Sequence, residues 1–148
     1  MDSKLLNDDI ADQVRQVFSQ LVEPVEVLFF GAKDGCEYCA DTLQLVSEIT
    51  DLDEKITLST YDVEAEQDIA LRYRVDKTPG LVIAGRDGDI LIDYGIRYAG
   101  IPAGHEFSSL IHGILLVSSR DSGLNDKTRL FLKGISKPVL LQVFVTPT

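Results

Sequence analysis

The sequence is poor in three features that would each point to a class of function. Only 14 of its 148 residues are Lys or Arg, against 24 Asp or Glu, and the formal charge of -10 argues against binding to nucleic-acid phosphates or to an anionic membrane surface. No uninterrupted apolar run approaches the length of a membrane span, and the amino terminus is polar and acidic where a secretory signal would be basic and then apolar. We therefore expect a cytoplasmic protein with no nucleic-acid partner and no membrane partner.

Cysteine is equally scarce, with only two in the chain. A hydrophobic fraction of 45% is ample for the core of one domain, so the fold does not need disulfides to hold it together. The two cysteines nevertheless stand three apart in Cys36-Glu37-Tyr38-Cys39. Two randomly placed cysteines would show this spacing only about one time in 75, so the motif favours a functional pair.

Cys36 and Cys39 have the spacing that thiol-disulfide exchange requires. The attacking sulfur must be a thiolate, and a helix that starts around the cysteines would place Cys36 in its first turn, where unpaired N–H groups and the helix dipole lower the pKa of a thiol. Cys39 would lie one turn deeper, within reach to resolve a mixed disulfide. Lys33 favours the thiolate whereas Asp34 and Glu37 oppose it, which predicts a less depressed pKa than in a strongly oxidising protein.

Two other interpretations of the cysteines are a half zinc site and a pair of inert buried thiols. A structural zinc site takes four ligands, and His105 and His112 are the only histidines that could add to the cysteines. They are seven residues apart, outside the close histidine spacing of zinc motifs. We therefore expect no metal and no cofactor other than a redox-active disulfide between Cys36 and Cys39.

The periodicity of apolar residues predicts a regular alternation of helices and strands. Helical spacing extends over residues 9–21, from the cysteines to about Thr50, over 64–73 and over 106–118; strand-like runs cover 25–30, 56–61, 81–84 and 90–92. Asp87-Gly88 between the last two strands is a hairpin turn signal. The expected fold is three-layer α/β/α, with a central mixed four-stranded sheet.

This order of elements resembles the thioredoxin and glutaredoxin family over residues 9–118. The resemblance is based on the Cys-x-x-Cys motif after the first strand and on Thr78-Pro79 just before the hairpin. The resemblance implies a thioredoxin-like fold in which Pro79 is a cis-proline facing the cysteines and the backbone of Thr78 hydrogen-bonds an extended substrate. It also suggests that Glu48 is a buried carboxylate that carries the proton of Cys39 during exchange.

Several local runs are similar to a narrower group, the tandem protein disulfide oxidoreductases of thermophilic microbes, in which two thioredoxin-like units are fused and each has its own Cys-x-x-Cys. The matching runs are Cys-x-Tyr-Cys, Arg72-Tyr-Arg-Val75 and Arg97-Tyr-Ala-Gly-Ile-Pro-Ala-Gly-His-Glu-Phe107. In the last run, Tyr98, Pro102, His105 and Phe107 are expected to hold the following helix to the sheet.

The end of the chain looks like the beginning of a second copy. After a predicted helix over 126–133, the segment Pro138–Thr148 begins Pro-Val and has Phe six residues after the proline, as does Pro24–Phe30. We expect residues 1–122 to form an N-terminal thioredoxin-like unit, and residues 123–148 to supply a linker helix and the first strand of a truncated second unit. An apolar strand without its unit would promote self-association through residues 138–148.

The leading hypothesis is a protein dithiol-disulfide oxidoreductase that reduces, oxidises or isomerises protein disulfides in cell redox homeostasis. Its expected partners are protein disulfides or a peroxiredoxin, with an upstream donor resembling thioredoxin reductase. One alternative is a thioredoxin-fold interaction module with poor turnover. Another is a glutathione-dependent glutaredoxin, suggested by Tyr38 beside Cys39, although no extra basic residues flank Thr78-Pro79.

Overall fold

The centre of the molecule is a mixed four-stranded sheet. The computed structural model describes residues 3–146, and its strands are β1 (Val25–Gly31), β2 (Ile56–Asp62), β3 (Gly80–Asp87) and β4 (Ile90–Ala99). They lie in the order β2-β1-β3-β4, with β1 parallel to β2 and antiparallel to β3, and with β3 antiparallel to β4. The fold class expected from the sequence is confirmed.

Five helices complete the described part of the chain: α1 (Asp8–Phe18), α2 (Cys39–Thr50), α3 (Gln67–Arg72), α4 (His105–Ser119) and α5 (Asp126–Lys133). α1 begins where the Asn7 side chain accepts a hydrogen bond from the N–H of Ile10 at 2.8 Å, a typical N-cap. α3 is shorter than the predicted 64–73. The Asp62 carboxylate binds the N–H groups of Glu64 and Ala65 and holds them in a turn ahead of the helix.

β1 is buried along its whole length because helices cover both faces of the sheet. Alternate side chains of a strand point to opposite faces. Val27 and Phe29 join the larger apolar cluster with residues of α1, α2 and α4, whereas Leu28 and Phe30 join a smaller cluster beside α3. These two clusters make the molecule a three-layer α/β/α sandwich. Truncating a fully buried side chain such as Phe30 to alanine would cost about 3–5 kcal/mol.

The segment after α4 packs little against this sandwich. α5 contains no buried residue, and residues 134–146 form neither helix nor strand. Leu140 and Phe144 are 80% and 89% exposed. The strand expected over 138–148 is therefore absent from residues 138–146, because a strand requires a neighbour for its backbone hydrogen bonds and no described strand lies beside it. Residues 147 and 148 lie outside the described residues.

Candidate active site

Cys36 and Cys39 form a disulfide bond with a Cα–Cα distance of 5.5 Å. Cys36 is half-buried and Cys39 is 9% exposed, so the first sulfur is the more accessible one. The expectation that Cys36 would occupy the first helical turn is wrong. α2 begins at Cys39 with Tyr38 as its N-cap, and Cys36 lies just ahead of the helix in the loop that follows β1.

The amino terminus of α2 still faces the disulfide through Cys39. The first N–H groups of any α-helix lack intrahelical partners, and the Tyr38 side chain makes no capping hydrogen bond to them. The positive end of the helix dipole lies at the same place. An anionic sulfur at the Cys36–Cys39 position is therefore favoured electrostatically, which is the property that a nucleophilic thiol requires.

Gly31, the last residue of β1, leaves room for the Phe29 ring beside Cys39. A Cβ atom on Gly31 would lie 3.5 Å from Cys39 Sγ and only 2.8 Å from Cε1 of the Phe29 ring. Real Cβ atoms essentially never come as close as the second distance. The Phe29 ring and the Gly31 backbone therefore lie next to the buried Cys39 sulfur.

An open cleft of about 400 Å³ lies beside Cys39 and is lined by Lys33, Asp62 and Glu66 among others. Asp62 is the register partner of Gly31 in the parallel pair of β1 and β2. Backbone hydrogen bonds from Ala65 and Glu64, and the charge of Lys33, lower the pKa of Asp62 below its ordinary value. The Asp62 carboxyl group in this cleft therefore favours its charged form. Lys33 acts on the charge of Asp62 as well as on the thiolate for which the sequence suggests it.

Thr78 and Pro79 lie at the same end of the sheet as the cysteines. Phe30, one residue from the end of β1, is paired with Gly80 at the start of β3, and the Thr78-Pro79 peptide bond just before Gly80 is cis. Gly100 donates a backbone hydrogen bond to the carbonyl of Pro79 at 2.9 Å. The Thr78 backbone has no hydrogen-bond partner among residues 3–146, so its N–H and C=O are available to another chain.

Glu48 does not lie at the cysteines. It is nine residues beyond Cys39 on α2, about 13 Å along the helix axis. Its carboxylate accepts hydrogen bonds from the N–H groups of Leu5 and Leu6, at 3.0 and 2.8 Å. This placement does not support the proton-carrier role suggested by the resemblance, because both carboxylate oxygens bind the amino-terminal segment at the far end of the helix.

Part of the run matched to the tandem oxidoreductases has the structural role expected of it. The Tyr98 hydroxyl donates a hydrogen bond to the carbonyl of Ser109 in α4 at 2.9 Å. Phe107 packs against the larger apolar cluster, and Pro102 is buried. Burial, assisted by the nearby charge of Glu106, raises the pKa of Tyr98.

Two residues near the site were not singled out from the sequence. Asp62 could have been found from the parallel pairing of β1 and β2, because both strands end at the edge that carries the cysteines. Thr42 has no comparable sequence signal, since a threonine on a helix is ordinary. Its significance depends on its burial.

Two classes of feature are missing from residues 3–146. No three His, Cys, Asp or Glu side chains in this range are grouped so that they could hold a metal ion. None of the helices described there is both long and apolar enough to cross a membrane.

The fold and the cysteine pair together define a thioredoxin-fold redox protein. Residues 24–88 match the family Thioredoxin_3, described as a thioredoxin domain. The structure is similar to a protein disulfide oxidoreductase from Aeropyrum pernix K1, with a TM-score of 0.75 and 30% identity over 86% of this chain and 54% of that one. It is also similar to the NTD_N/C domain of alkylhydroperoxide reductase AhpF from Enterococcus faecalis, with a TM-score of 0.74 and 28% identity over 84% and 58% of the two chains.

Among curated proteins, the AhpF component of alkyl hydroperoxide reductase from Staphylococcus aureus is 32% identical over 117 residues. The match includes 78% of this chain and 19% of the relative, so the chain spans about a fifth of the length of that protein. These similarities agree with the family predicted from the motifs. Residues 24–88 therefore match a thioredoxin domain, and the chain has a thioredoxin-like fold.

Proposed function

We propose that the protein is a protein dithiol-disulfide oxidoreductase in which Cys36 attacks and Cys39 resolves. The observation that carries this proposal is the disulfide at the amino terminus of α2, with one accessible and one buried sulfur. In the reducing direction, the Cys36 thiolate attacks a substrate disulfide and releases one substrate thiol. Cys39 then displaces the second substrate thiol and re-forms the Cys36–Cys39 bond, so two electrons pass to the substrate.

The substrate is proposed to be an extended polypeptide segment that lies along the backbone of Thr78 and Pro79. The unpaired N–H and C=O of Thr78 at the cysteine end of the sheet support this role. Backbone pairing of this kind recognises any extended chain and depends little on its side chains. Protein disulfides of varied sequence, or the disulfide of a peroxiredoxin, are suitable substrates, with a donor resembling thioredoxin reductase restoring the dithiol.

Insulin reduction in the presence of dithiothreitol tests the proposal. Wild-type protein should accelerate the turbidity that follows reduction of the insulin disulfides, and Cys36→Ser should reduce the rate to that of dithiothreitol alone. Cys39→Ser should accumulate a mixed disulfide through Cys36, because the resolving thiol is missing. Equal rates for wild type and Cys36→Ser would show that the chain is an interaction module and not a catalyst.

The choice of reductant distinguishes the glutaredoxin alternative from the proposed function. A glutathione-dependent enzyme would reduce a small disulfide faster with glutathione than the uncatalysed reaction does, and would be labelled by glutathione at Cys36. The acidic residues Asp34 and Glu37 around the cysteines oppose binding of the glutathione carboxylates. We therefore expect little glutathione-dependent turnover.

We also propose that residues 123–148 are a linker helix and a segment that forms the first strand of a second thioredoxin-like unit when that unit is present. The support is the repeat of the Pro24–Phe30 pattern from Pro138 onward and the exposure of the apolar side chains between Pro138 and Thr146. A chain in which these residues are followed by a second unit should bury them, which limited proteolysis of both forms would measure.

A further inference from the structure

α2 contains a buried hydroxyl that no other described group satisfies. Thr42 is fully buried, and its Oγ1 is the one buried side-chain nitrogen or oxygen atom among residues 3–146 without a hydrogen-bond partner. Native proteins seldom leave such a group unpaired, because removing a hydroxyl from water without a new partner is unfavourable. A valine would fill nearly the same volume without this penalty, so packing alone does not account for threonine here.

The hydroxyl lies next to the redox pair on the same helix. Thr42 follows Cys39 by three residues, and side chains at this separation share one face of a helix with Cβ atoms about 5–6 Å apart. Helical side chains lean toward the amino terminus, which directs Thr42 toward the turn that carries Cys39. Both residues are buried, so water does not compete strongly for either group.

The oxidised protein gives the hydroxyl no partner because the Cys39 sulfur is committed to the disulfide. A disulfide sulfur is at most a weak acceptor, and no hydrogen bond joins it to Thr42 in the structure. Reduction by two molecules of glutathione breaks the Cys36–Cys39 bond, transfers two electrons and two protons to the cysteines, and forms one glutathione disulfide. Cys39 is then a buried thiol that becomes a thiolate when it resolves a mixed disulfide, and a thiolate accepts hydrogen bonds much better.

We propose that Thr42 is a positioning residue whose hydroxyl hydrogen-bonds the Cys39 sulfur in the reduced protein and so stabilises the dithiol relative to the disulfide. This inference rests on the proposed function, since it requires the cysteine pair to cycle between the two states. The unpaired hydroxyl of the oxidised form is the counterpart of the bond made in the reduced form. The unpaired hydroxyl destabilises the disulfide form, and the hydrogen bond stabilises the dithiol form. Together they make the disulfide easier to reduce.

The test is the equilibrium constant for reduction of the disulfide by glutathione, measured from the fractions of oxidised and reduced protein in defined glutathione buffers. Thr42→Val removes the hydroxyl and keeps the shape, and should lower this constant about fivefold, within the range of two- to tenfold for one net hydrogen bond. Thr42→Ser restores the hydroxyl and should return the constant to within about twofold of wild type.

Thr50→Val is the matched control. Thr50 is a second buried threonine on α2, and its hydroxyl donates to the carbonyl of Ser47 at 3.1 Å at the end of the helix away from the cysteines. Its removal weakens both redox forms alike and should leave the constant unchanged. Urea unfolding of oxidised and reduced Thr42→Val measures the same effect as a difference in stability. The oxidised variant should be at least as stable as oxidised wild type, and the reduced variant should be less stable than reduced wild type.

Three results would overturn the inference. A wild-type constant for Thr42→Val would show that the hydroxyl does not distinguish the redox states, and a Thr42→Ser constant equal to that of Thr42→Val would assign the effect to packing. A wild-type protein that leaves insulin reduction at the rate of dithiothreitol alone would overturn the proposed function together with this inference. A redox-active wild type with an unaltered Thr42→Val would overturn the inference alone.

Discussion

The carboxylate of Glu48 accepts a hydrogen bond from the backbone N–H of Leu6 at 2.8 Å, joining α2 to a residue 42 positions away. Together with the hydrogen bond from Leu5, it attaches the segment before α1 to the domain. Leu6 is buried in the larger apolar cluster, so the two hydrogen bonds fix the backbone from which that side chain enters the core.

Replacing Glu48 should therefore affect stability and leave redox turnover unchanged. Glu48→Ala removes both acceptors and should lower the free energy of unfolding by about 1–2 kcal/mol; Glu48→Gln keeps one acceptor and should lower it by about 0.5–1 kcal/mol. Urea unfolding and the insulin assay measure the two effects separately. A severalfold slower turnover in Glu48→Gln at unchanged stability would restore the proton-carrier hypothesis.

The same contacts predict how the Glu48 contribution depends on pH. Burial is the largest single influence and raises the pKa, but the hydrogen bonds from Leu6, Gln44 and Leu5 and the charge of Lys4 together lower it below its ordinary value of 4.5. A carboxyl group whose pKa is lower in the folded state stabilises the fold above its unfolded value and loses that contribution as the pH falls through the folded value. The stability difference between wild type and Glu48→Gln should therefore shrink below about pH 4.5, and a constant difference down to pH 2 would contradict this.

Glu26 is a buried carboxylate in a partly buried polar cluster at the end of β1 opposite the cysteines. Its carboxylate accepts hydrogen bonds from the hydroxyls of Thr57 and Ser59 and from the Arg86 guanidinium, the last at 3.0 Å. Glu26→Ala leaves all three donors without their acceptor and should lower the free energy of unfolding by about 2–4 kcal/mol. Asp12→Ala, which breaks an exposed pair with Arg15, is the control and should change it by less than about 0.5 kcal/mol. Equal effects in urea unfolding would contradict the stabilising role of this cluster.

Tyr98 is expected to contribute to stability up to alkaline pH. Tyr98→Phe removes the hydrogen bond to the Ser109 carbonyl and should lower the free energy of unfolding by about 1 kcal/mol at neutral pH. Burial raises the pKa of Tyr98 above its ordinary value of 10.0. Its contribution is therefore complete below pH 10 and is lost as the pH rises through the folded value.

Denaturation of wild type and Tyr98→Phe between pH 8 and pH 11 measures this loss, since the two curves should converge at the alkaline end. Tyr94→Phe is the control, because the Tyr94 side chain is 46% exposed and its hydroxyl has water available. A difference that grows with pH would contradict the sign of the shift.

The exposed segment after α4 should be dispensable for the fold. Among the described residues, removing 124–148 eliminates no buried side chain and one ion pair, Arg129 with Asp121, whose side chains are 40% and 54% exposed. The free energy of unfolding should change by less than about 1 kcal/mol. Self-association should decrease, because exposed apolar chain with unpaired backbone favours pairing with another molecule.

Sedimentation of the full chain, of the truncated chain and of a Leu140→Ser, Phe144→Ser double variant tests both statements. The double variant keeps the length and removes two of the most exposed apolar side chains. A full chain that stays monomeric at high concentration, or a truncated chain that is several kcal/mol less stable, would contradict the prediction.

The amino-acid sequence by itself determined the order of elements, the mixed sheet and the redox pair. Each of these depends on local information: apolar residues at a spacing of two or of three to four, turn residues such as Asp87-Gly88, and two cysteines three residues apart. Such patterns lie within one element and its neighbours in the sequence, so they can be recognised without knowledge of the tertiary contacts.

Only the tertiary structure decided what the individual polar residues near the site do. The family resemblance suggests a proton-carrier role for Glu48 toward Cys39, but its carboxylate contacts the amino-terminal segment. Asp62 lies beside Gly31 because two strands align in parallel, and Thr42 is distinguished from other helical threonines only by burial without a partner. These properties depend on which surfaces pack together across long sequence separations, and the periodicity of a single segment does not contain that information.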